Sequence, residues 1–189
     1  MISAILLAAG ESKRMLDENK LSKKFKNIPL INRSVNNILS SNIDELIIVL
    51  GYDKENIEKL IKKNNKIKIF FNKNFKTGMA SSIKIGLNQL SNETEFFFIC
   101  LGDMPMINKK IYNHLISYKN NKDIVVPTYN NKQGNPVLFS KSMKSKIMSI
   151  EGDAGAKKIL EKNKDKILKV KINDINITRD FNTKNDFNS

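Results

Sequence analysis

The sequence predicts an α/β fold with three layers, in which helices cover both faces of a mostly parallel sheet. Two observations lead to this prediction. Short runs rich in β-branched and aromatic residues alternate with segments whose apolar residues recur every three or four positions. Several runs, such as residues 46–50 (LIIVL) and 96–101 (FFFICL), are apolar throughout, as is typical of strands buried on both faces.

Seven short apolar runs are predicted to be strands because β-branched and aromatic residues dominate them. In chain order they cover residues 2–8, 45–50, 67–71, 95–101, 123–127, 135–140 and 167–172. Helical spacing between the runs is found at Leu30, Val35, Ile38 and Leu39, at Ile57, Leu60 and Ile61, and at Ile83, Leu87 and Leu90. The run at 135–140 follows the turn-rich stretch YNNKQ at short range, so this strand is expected to be antiparallel.

A single domain spanning residues 1–189 is expected. A chain of 189 residues has the length of one domain, and it contains neither an internal repeat nor a linker-like stretch. The final residues 182–189 (NTKNDFNS) are consistent with a last short helix or with a frayed end.

The formal net charge of +14 suggests a polyanionic partner, such as a nucleic acid, an acidic membrane surface or a phosphorylated small molecule. The excess is almost all lysine, however, and it is scattered among asparagines and isoleucines as in a general compositional bias. Because the chain has no known nucleic-acid-binding motif and no apolar run near the ~20 residues of a membrane span, neither a nucleic acid nor a membrane is expected as a partner.

Cysteine and histidine are too rare for several classes of site. Cys100 is the only cysteine and is predicted to be a buried apolar residue, which excludes a disulfide framework and fits a reducing, cytoplasmic location. His114 is the only histidine, so zinc sites and triads that need several histidines or cysteines are excluded.

The loop after the first predicted strand combines small residues with two basic side chains. Ala8, Ala9 and Gly10 allow a ligand close to the backbone, and Arg14 and Lys20 follow at a spacing that lets both fold over one site. A guanidinium makes forked hydrogen bonds to phosphate that lysine cannot copy, a reason to keep arginine in a lysine-rich chain. A plain loop with two solvated charges explains the pattern equally well. Neither GxGxxG nor GxxxxGK[ST] occurs.

Two further stretches are candidates because ligands of open α/β sheets bind beyond the carboxyl ends of the strands. Asp103 follows the most hydrophobic run and is placed either to hold a hard cation such as Mg²⁺ or to cap the following helix. Gly78, Ser81 and Ser82 open a predicted helix, whose first turn either caps itself or holds a ribose or phosphate oxygen.

Taken together, these stretches resemble one family of nucleotidyltransferases. Residues 6–21 (LLAAGESKRMLDENKL) are similar to its LAAGxSxRMGxxNKL signature, residues 78–87 (GMASSIKIGL) to GMSxSLxxGL, and residues 101–107 (LGDMPMI) to its GDMP motif. Residues 125–140 (VVPTYNNKQGNPVLFS) are similar to VPxYxGxxGNPVLF, and residues 151–160 (EGDAGAKKIL) to GDxGARxxL. Residues 178–187 (TRDFNTKNDF) are a weaker version of DIDTPEDL. These motifs occur in the family's order and cover nearly the whole chain. The chain therefore resembles the molybdenum cofactor cytidylyltransferases.

The resemblance implies a Rossmann-like fold of the nucleotide-diphospho-sugar transferase type, and a reaction. CTP and molybdopterin cofactor would be the substrates and Mg²⁺ the cofactor. The terminal phosphate of molybdopterin would attack the α-phosphorus, releasing pyrophosphate and forming molybdopterin cytosine dinucleotide. A molybdenum hydroxylase would be a possible recipient of the product.

The resemblance also implies roles for individual residues. Arg14, Lys20 and Asp103 would carry catalysis, and the nucleotide would be bound by Leu7, Ala8, Ala9, Gly10, Arg14, Lys20, Gly78, Ser81, Ser82 and Asp103. The pterin side would be formed by Asn135, Pro136, Gly152, Asp153 and Gly155, and the metal would be held by Asp103 with Asp180 or Asn182. Ala9, where the related guanylyltransferases have glycine, favours cytosine. Leu16, Lys157 and Lys184 depart from the family pattern, which has glycine, arginine and proline there.

Three other functions stay open on sequence grounds. The same scaffold serves related transferases that use GTP, as molybdenum cofactor guanylyltransferases do, or a sugar phosphate. A non-catalytic chaperone that binds molybdopterin and delivers it to an apoenzyme would need a similar pocket. A basic nucleic-acid binder would show steep salt dependence.

Overall fold

The computed structural model describes residues 1–12, 19–152, 155 and 157–188, and every predicted strand is present in it. The bounds of the seven main strands are β1 Ile2–Ala8, β4 Glu45–Leu50, β5 Ile67–Phe71, β6 Phe96–Leu101, β7 Ile124–Tyr129, β9 Val137–Ser140 and β10 Ile167–Lys171. Three two-residue strands were not predicted: β2 Lys24–Phe25, β3 Ile28–Pro29 and β8 Lys132–Gln133. They are too short to carry an apolar period.

The helices follow the predicted spacing, with three additions in the second half of the chain. Their bounds are α1 Leu30–Leu39, α2 Lys54–Leu60, α3 Met79–Asn88, α4 Lys109–Ile116, α5 Lys144–Met148 and α6 Lys157–Lys162. The tail forms a 3-10 helix at Lys184–Asn188, which agrees with the short helix that was one of the two expectations for it. No helix in the described part of the chain has the length and apolarity needed to cross a bilayer.

The described strands form an eight-stranded mixed sheet in the order β10-β7-β9-β6-β1-β4-β5, with β8 paired to β7. β1 is parallel to both β4 and β6, and β4 is parallel to β5. β9 is antiparallel to β6 and β7, which confirms the orientation expected from its short connection. The mostly parallel mixed sheet predicted from sequence is therefore confirmed.

Two apolar clusters lie on opposite faces of the sheet and confirm the three-layer arrangement. Alternate residues of β1 point to opposite faces, so that Ala4 and Leu6 join one cluster while Ile5 and Leu7 join the other. Helices α1, α2 and α4 pack on the first face, and α3, α5 and α6 on the second.

Cys100 is 1% exposed in β6, as predicted. Burial raises the pKa of its thiol to about 12.

Asp123 ties three segments together at the start of β7. Its carboxylate accepts hydrogen bonds from Ser140 Oγ at 2.7 Å, from Ser142 Oγ at 2.8 Å and from Lys166 Nζ at 2.8 Å. These donors, Lys166 foremost, hold the pKa of Asp123 well below its ordinary value of 3.8. The carboxylate thus joins the ends of β7, β9 and β10.

We expect Asp123→Asn to destabilise the fold at neutral pH and to matter less in acid. A carboxyl whose pKa is lowered by folding stabilises the native state above its unfolded pKa, and this contribution fades as pH falls below about 4. The loss at pH 7 should be about 1 kcal/mol, because the Asp123 and Lys166 side chains are 31% and 34% exposed. Urea unfolding of both proteins between pH 7 and pH 2 checks this. A difference that stays constant over the whole range would contradict it.

Candidate functional site

A cavity of about 670 Å³ opens at the carboxyl ends of β1 and β6. These two strands are parallel neighbours, with Leu7 paired to Leu101. From β1 the chain continues to β4 on one side and later returns to β6 on the other, so the loops after β1 and β6 diverge and leave a crevice. The site therefore lies where the strand order reverses.

The cavity gathers most of the nucleotide and metal residues expected from sequence. Its wall is formed by the loop after β1, by the 3-10 turn Phe75–Thr77 with the start of α3, and by residues after β6 and near the C-terminus. The expected residues that line it are Leu7, Ala8, Ala9, Gly10, Lys20, Gly78, Ser82, Asp103, Asp180 and Asn182. Arg14 and Asp153 lie outside the described residues.

A chain of charged and polar contacts crosses the floor of this cavity. Lys20 Nζ donates to Asp103 Oδ2 at 2.6 Å and to Asn182 Oδ1 at 2.9 Å, and Asn182 Nδ2 donates to Asp180 Oδ2 at 2.6 Å. The side chains of Lys20 and Asp103 are only 16% and 20% exposed, so this ion pair is largely shielded from water. Four residues from three distant segments of the chain are thereby brought together.

The C-terminal segment is fixed in place by hydrogen bonds to its backbone and by the ring of Phe181. Phe181 N donates to Asp103 O at 2.8 Å, and the Phe181 ring meets Phe25 edge-on at a centroid distance of 5.0 Å. Asp186 Oδ2 accepts from Asn182 N at 2.9 Å and from Thr183 N at 2.7 Å. Those backbone donors, Thr183 first, lower the pKa of Asp186, which keeps this carboxylate charged. Asp186 thus orients Asn182 toward Lys20.

Asn19 holds the loop after β1 at its far end. Its Oδ1 accepts from Leu21 N at 3.1 Å and from Ser12 Oγ at 3.2 Å. Lys20 N donates to Ser12 Oγ at 3.3 Å. Asn19 is 4% exposed, so a buried amide places Lys20 beside the cavity.

Gly51, directly after β4, makes room for the same loop. A Cβ on Gly51 would come within 2.7 Å of Ala9 Cβ and Ala9 O and within 2.8 Å of Phe75 Cβ. Tyr52 N donates to Ala9 O at 3.1 Å, which fixes the loop against the end of β4. The small residue is therefore needed for close approach of three segments.

Gly51→Ala is expected to displace the Ala9 backbone and to weaken nucleotide binding by about tenfold. The added methyl meets backbone and Cβ atoms that cannot rotate away, and such overpacking costs about 1–3 kcal/mol. Nucleotide titration by calorimetry and thermal unfolding measure the two effects. An unchanged dissociation constant in a folded variant would show that Ala9 is not part of the binding surface.

Ser81 and Ser82 have different surroundings at the start of α3. Ser82 is 4% exposed and lines the cavity, whereas Ser81 is not on its wall. Ser81 Oγ donates to Gly78 O at 2.8 Å, which closes the first helical turn. Successive helix residues point about 100° apart, so only one of the two serines can face the cavity directly.

Of the residues expected on the pterin side, the structure describes Asn135, Pro136, Gly152 and Gly155, and none of these four lines the cavity. Asn135 N donates to Ile177 O at 2.8 Å, and a cis peptide joins Asn135 to Pro136. Gly152 O accepts from Ala80 N at 3.0 Å, and Gly155 lies close to the Met79 side chain. Met79 and Ala80 are the first two residues of α3. These contacts support the C-terminal segment and α3.

The oxygen ligands at the cavity floor suit a hard divalent cation. Asp103 and Asp180 offer carboxylates and Asn182 offers an amide oxygen, the ligand types that Mg²⁺ prefers. In the described part of the chain, no three side chains of histidine, cysteine, aspartate or glutamate cluster as a ready-made metal site. A cation here would need further oxygens, and substrate phosphates commonly supply them.

Several residues of the site were missed by the sequence prediction: Asn19, Gly51, Asn72, Phe75, Lys76 and Asp186. Gly51 and Asn72 directly follow β4 and β5, so the rule of the strand ends would have found them if applied to every parallel strand. Asn19 and Asp186 act through backbone hydrogen bonds, which leave no spacing pattern in the sequence.

Comparisons with known proteins identify the family and support the fold. The family model described as MobA-like NTP transferase domain matches residues 4–167. A probable molybdenum cofactor guanylyltransferase of Natranaerobius thermophilus is 36% identical over 132 residues, which cover 67% of this chain and 60% of that protein. The molybdenum cofactor cytidylyltransferase of Escherichia coli K12 is 28% identical over 140 residues, or 74% of this chain and 70% of that protein.

A solved structure shares the fold. The crystal structure of Rv0371c from Mycobacterium tuberculosis H37Rv superposes with a TM-score of 0.87 at 20% identity, covering 99% of this chain and 95% of that one. The same protein in complex with manganese superposes with a TM-score of 0.83 at 18% identity, covering 99% and 96% of the two chains.

Proposed function

The chain belongs to the family of MobA-like NTP transferase domains, and from this membership we propose that it is a molybdenum cofactor cytidylyltransferase. In the proposed reaction an oxygen of the molybdopterin terminal phosphate attacks the α-phosphorus of CTP. The new phosphorus–oxygen bond forms as the bond to the β-phosphate oxygen breaks, and pyrophosphate leaves with that electron pair. The product is molybdopterin cytosine dinucleotide.

One observation carries the proposal: Lys20 Nζ and Asp103 Oδ2 meet at 2.6 Å in a cavity that the small-residue loop Ala8–Gly10 also lines. A cation and a carboxylate beside an accessible backbone are what phosphoryl transfer requires, because that chemistry depends on positioning and on charge neutralisation. The attacking phosphate is already an anion, so no strong base is needed.

Each part of the site has a defined task in this proposal. The loop from Ala8 to Gly10 binds the nucleotide through its backbone, which small side chains leave accessible. Lys20 leaves Asp103 to bind the triphosphate, where its ammonium stabilises the charge of the departing pyrophosphate. Asn182, oriented by Asp186, holds Lys20 near this position before the nucleotide arrives.

Asp103 with Asp180 and Asn182 would hold Mg²⁺, and the manganese complex of the structural relative supports a divalent ion at such a fold. When bound, the ion neutralises charge on the phosphate oxygens.

The choice of CTP rests on Ala9, which stands against Gly51 in the run Ala8-Ala9-Gly10. The relative from Natranaerobius thermophilus, named a probable guanylyltransferase, makes guanylyl transfer the second candidate. The chain spans only 60% of that relative's length. Molybdopterin as the acceptor is therefore part of the proposal, as the choice of nucleotide is.

The pterin side is proposed to be formed by Asn135, Pro136, Gly152, Asp153 and Gly155, as the resemblance to the family implies. The net charge of +14 favours the meeting of two polyanions, CTP and molybdopterin. A molybdenum hydroxylase as recipient, and a cytoplasmic location, stay predictions from sequence.

Incubation with molybdenum cofactor, Mg²⁺ and each α-labelled nucleoside triphosphate tests the proposal. We expect label from CTP in a dinucleotide product, with stoichiometric pyrophosphate. Labelling from GTP with CTP inert would establish guanylyl transfer instead, and labelling only with a sugar phosphate as acceptor would change the substrate class. Cofactor delivery without pyrophosphate release would indicate a chaperone.

Arg14→Lys is expected to lower kcat/KM for the nucleotide by about tenfold although the charge is kept. The prediction comes from sequence alone, since a forked guanidinium–phosphate contact is lost when lysine replaces arginine. Steady-state kinetics at saturating molybdenum cofactor measures it. The Arg33→Lys variant is the control, because Arg33 lies on α1, does not line the cavity and donates from Nε to the carbonyl of Phe25 at 2.8 Å. Unchanged turnover of Arg14→Lys would show that the charge alone suffices.

A further inference from the structure

Asn72 is a buried amide at the end of β5 whose orientation is fixed by the backbone. It is 1% exposed, and its Oδ1 accepts from Asn74 N at 2.9 Å. A backbone N–H only donates, so the oxygen of the amide must face Asn74 and the nitrogen must face the other way. The side-chain nitrogen of Asn72 can therefore act only as a donor to its remaining neighbours.

Those neighbours are the two serines of α3. Asn72 Nδ2 donates to Ser81 Oγ at 2.7 Å and to Ser82 Oγ at 2.9 Å, which uses both of its hydrogens. Each serine accepts from the amide and keeps its own hydroxyl hydrogen. Ser81 gives that hydrogen to Gly78 O at 2.8 Å.

The hydroxyl hydrogen of Ser82, in contrast, is not donated in this way. Ser82 lines the cavity, and its hydroxyl donates to no acceptor among the residues that the structure describes. A buried O–H that lacks an acceptor is unfavourable, so a ligand atom that accepts a hydrogen bond would be stabilised here. The same cavity is lined by two apolar side chains, Leu7 in the cluster under α3 and Met79 packed against that cluster, which a flat ring could contact.

We propose that Asn72 sets the direction of the Ser82 hydroxyl, so that Ser82 donates a hydrogen bond to an acceptor atom of the nucleobase. Asn72 is thus a positioning residue for base recognition that acts through Ser82. This inference rests on the proposed function in one respect, namely that a nucleotide occupies the cavity. It does not depend on which base the nucleotide carries, since both cytosine and guanine present ring acceptors.

Asn72→Asp tests the direction of the bond with almost no change of shape. A carboxylate still accepts from Asn74 N, but it also accepts from Ser82 and so turns the serine hydrogen away from the cavity. We expect the dissociation constant for CTP, measured by calorimetry, to rise at least tenfold. Binding of inorganic tripolyphosphate, which has no base, should stay within twofold and reports any repulsion by the new charge.

Two serine variants complete the test. Ser82→Ala should weaken CTP binding about as much as Asn72→Asp, and the double variant should be no worse than Ser82→Ala alone. Ser81→Ala removes the other hydrogen bond of the same amide and should weaken CTP binding much less. If Asn72→Asp fails to fold, a tenfold difference between the two serine variants supports the inference and equal losses overturn it.

The outcomes separate this inference from the proposed function. If the wild-type protein binds GTP and not CTP, the proposed specificity is wrong, and the same comparison made with GTP decides the role of Asn72. Loss of nucleotide and tripolyphosphate binding in equal measure would overturn the inference, because Asn72 would then be only structural. A folded Asn72→Asp variant with unchanged nucleotide affinity would overturn it as well.

Discussion

Asp103→Asn is expected to lower the rate of nucleotidyl transfer about a thousandfold, or about 4 kcal/mol of transition-state stabilisation. Asparagine keeps the size of the side chain but removes the charge that lies 2.6 Å from Lys20 Nζ and faces the cavity. The backbone bond from Phe181 N to Asp103 O does not involve the side chain, so the C-terminal segment should stay in place.

Single-turnover release of pyrophosphate, with metal and nucleotide at saturation, measures this loss. Asp165→Asn is a suitable control, because Asp165 is an exposed carboxylate in the 3-10 turn Lys164–Lys166, which precedes β10. The control should keep the wild-type rate and melting temperature. If Asp103→Asn retained more than a tenth of the rate while folded, Asp103 would be only a structural partner of Lys20.

The central strands were predictable from sequence because burial on both faces leaves a largely apolar run. Residues 2–8 and 45–50 are buried throughout and are strands with the bounds that the sequence predicts. The edge strand at 67–71 also has its predicted bounds, although it is only partly buried. The run at 135–140 was less regular, and its strand begins later, at Val137, after the cis peptide between Asn135 and Pro136. The two-residue strands β2, β3 and β8 carry no periodic signal, so only tertiary contacts define them.

The candidate site was predictable where it depends on strand order. Ala8–Gly10 and Asp103 come together because β1 and β6 are parallel neighbours, and the ends of such strands meet at one edge of the sheet. The contact of Lys20 with Asn182 joins residues 162 positions apart, and no local pattern reveals it. The roles of Ser81 and Ser82 likewise differ only through the path of α3 past Asn72.

Lys20→Met should change catalysis and metal binding in opposite directions. Turnover is expected to fall about a hundredfold, because the ammonium that would stabilise the triphosphate is lost. Lys20 Nζ, however, lies 2.6 Å from Asp103 Oδ2 and 2.9 Å from Asn182 Oδ1, two oxygens that a divalent ion would use. Removing a competing cation from a largely shielded carboxylate should strengthen nucleotide-free Mn²⁺ binding about tenfold.

Titration with Mn²⁺, followed by electron paramagnetic resonance, separates these two effects. Lys23→Met is the matched control, since it removes one lysine charge nearby while its Nζ lies over the Phe187 ring, 4.9 Å from the centroid. Net charge falls equally in both variants, so a tighter metal site only in Lys20→Met would come from the freed Asp103. If both variants bound Mn²⁺ like the wild type, Lys20 would not compete with the metal. The ammonium and the ion would then occupy different oxygens, and nucleotide and metal could enter the site in either order.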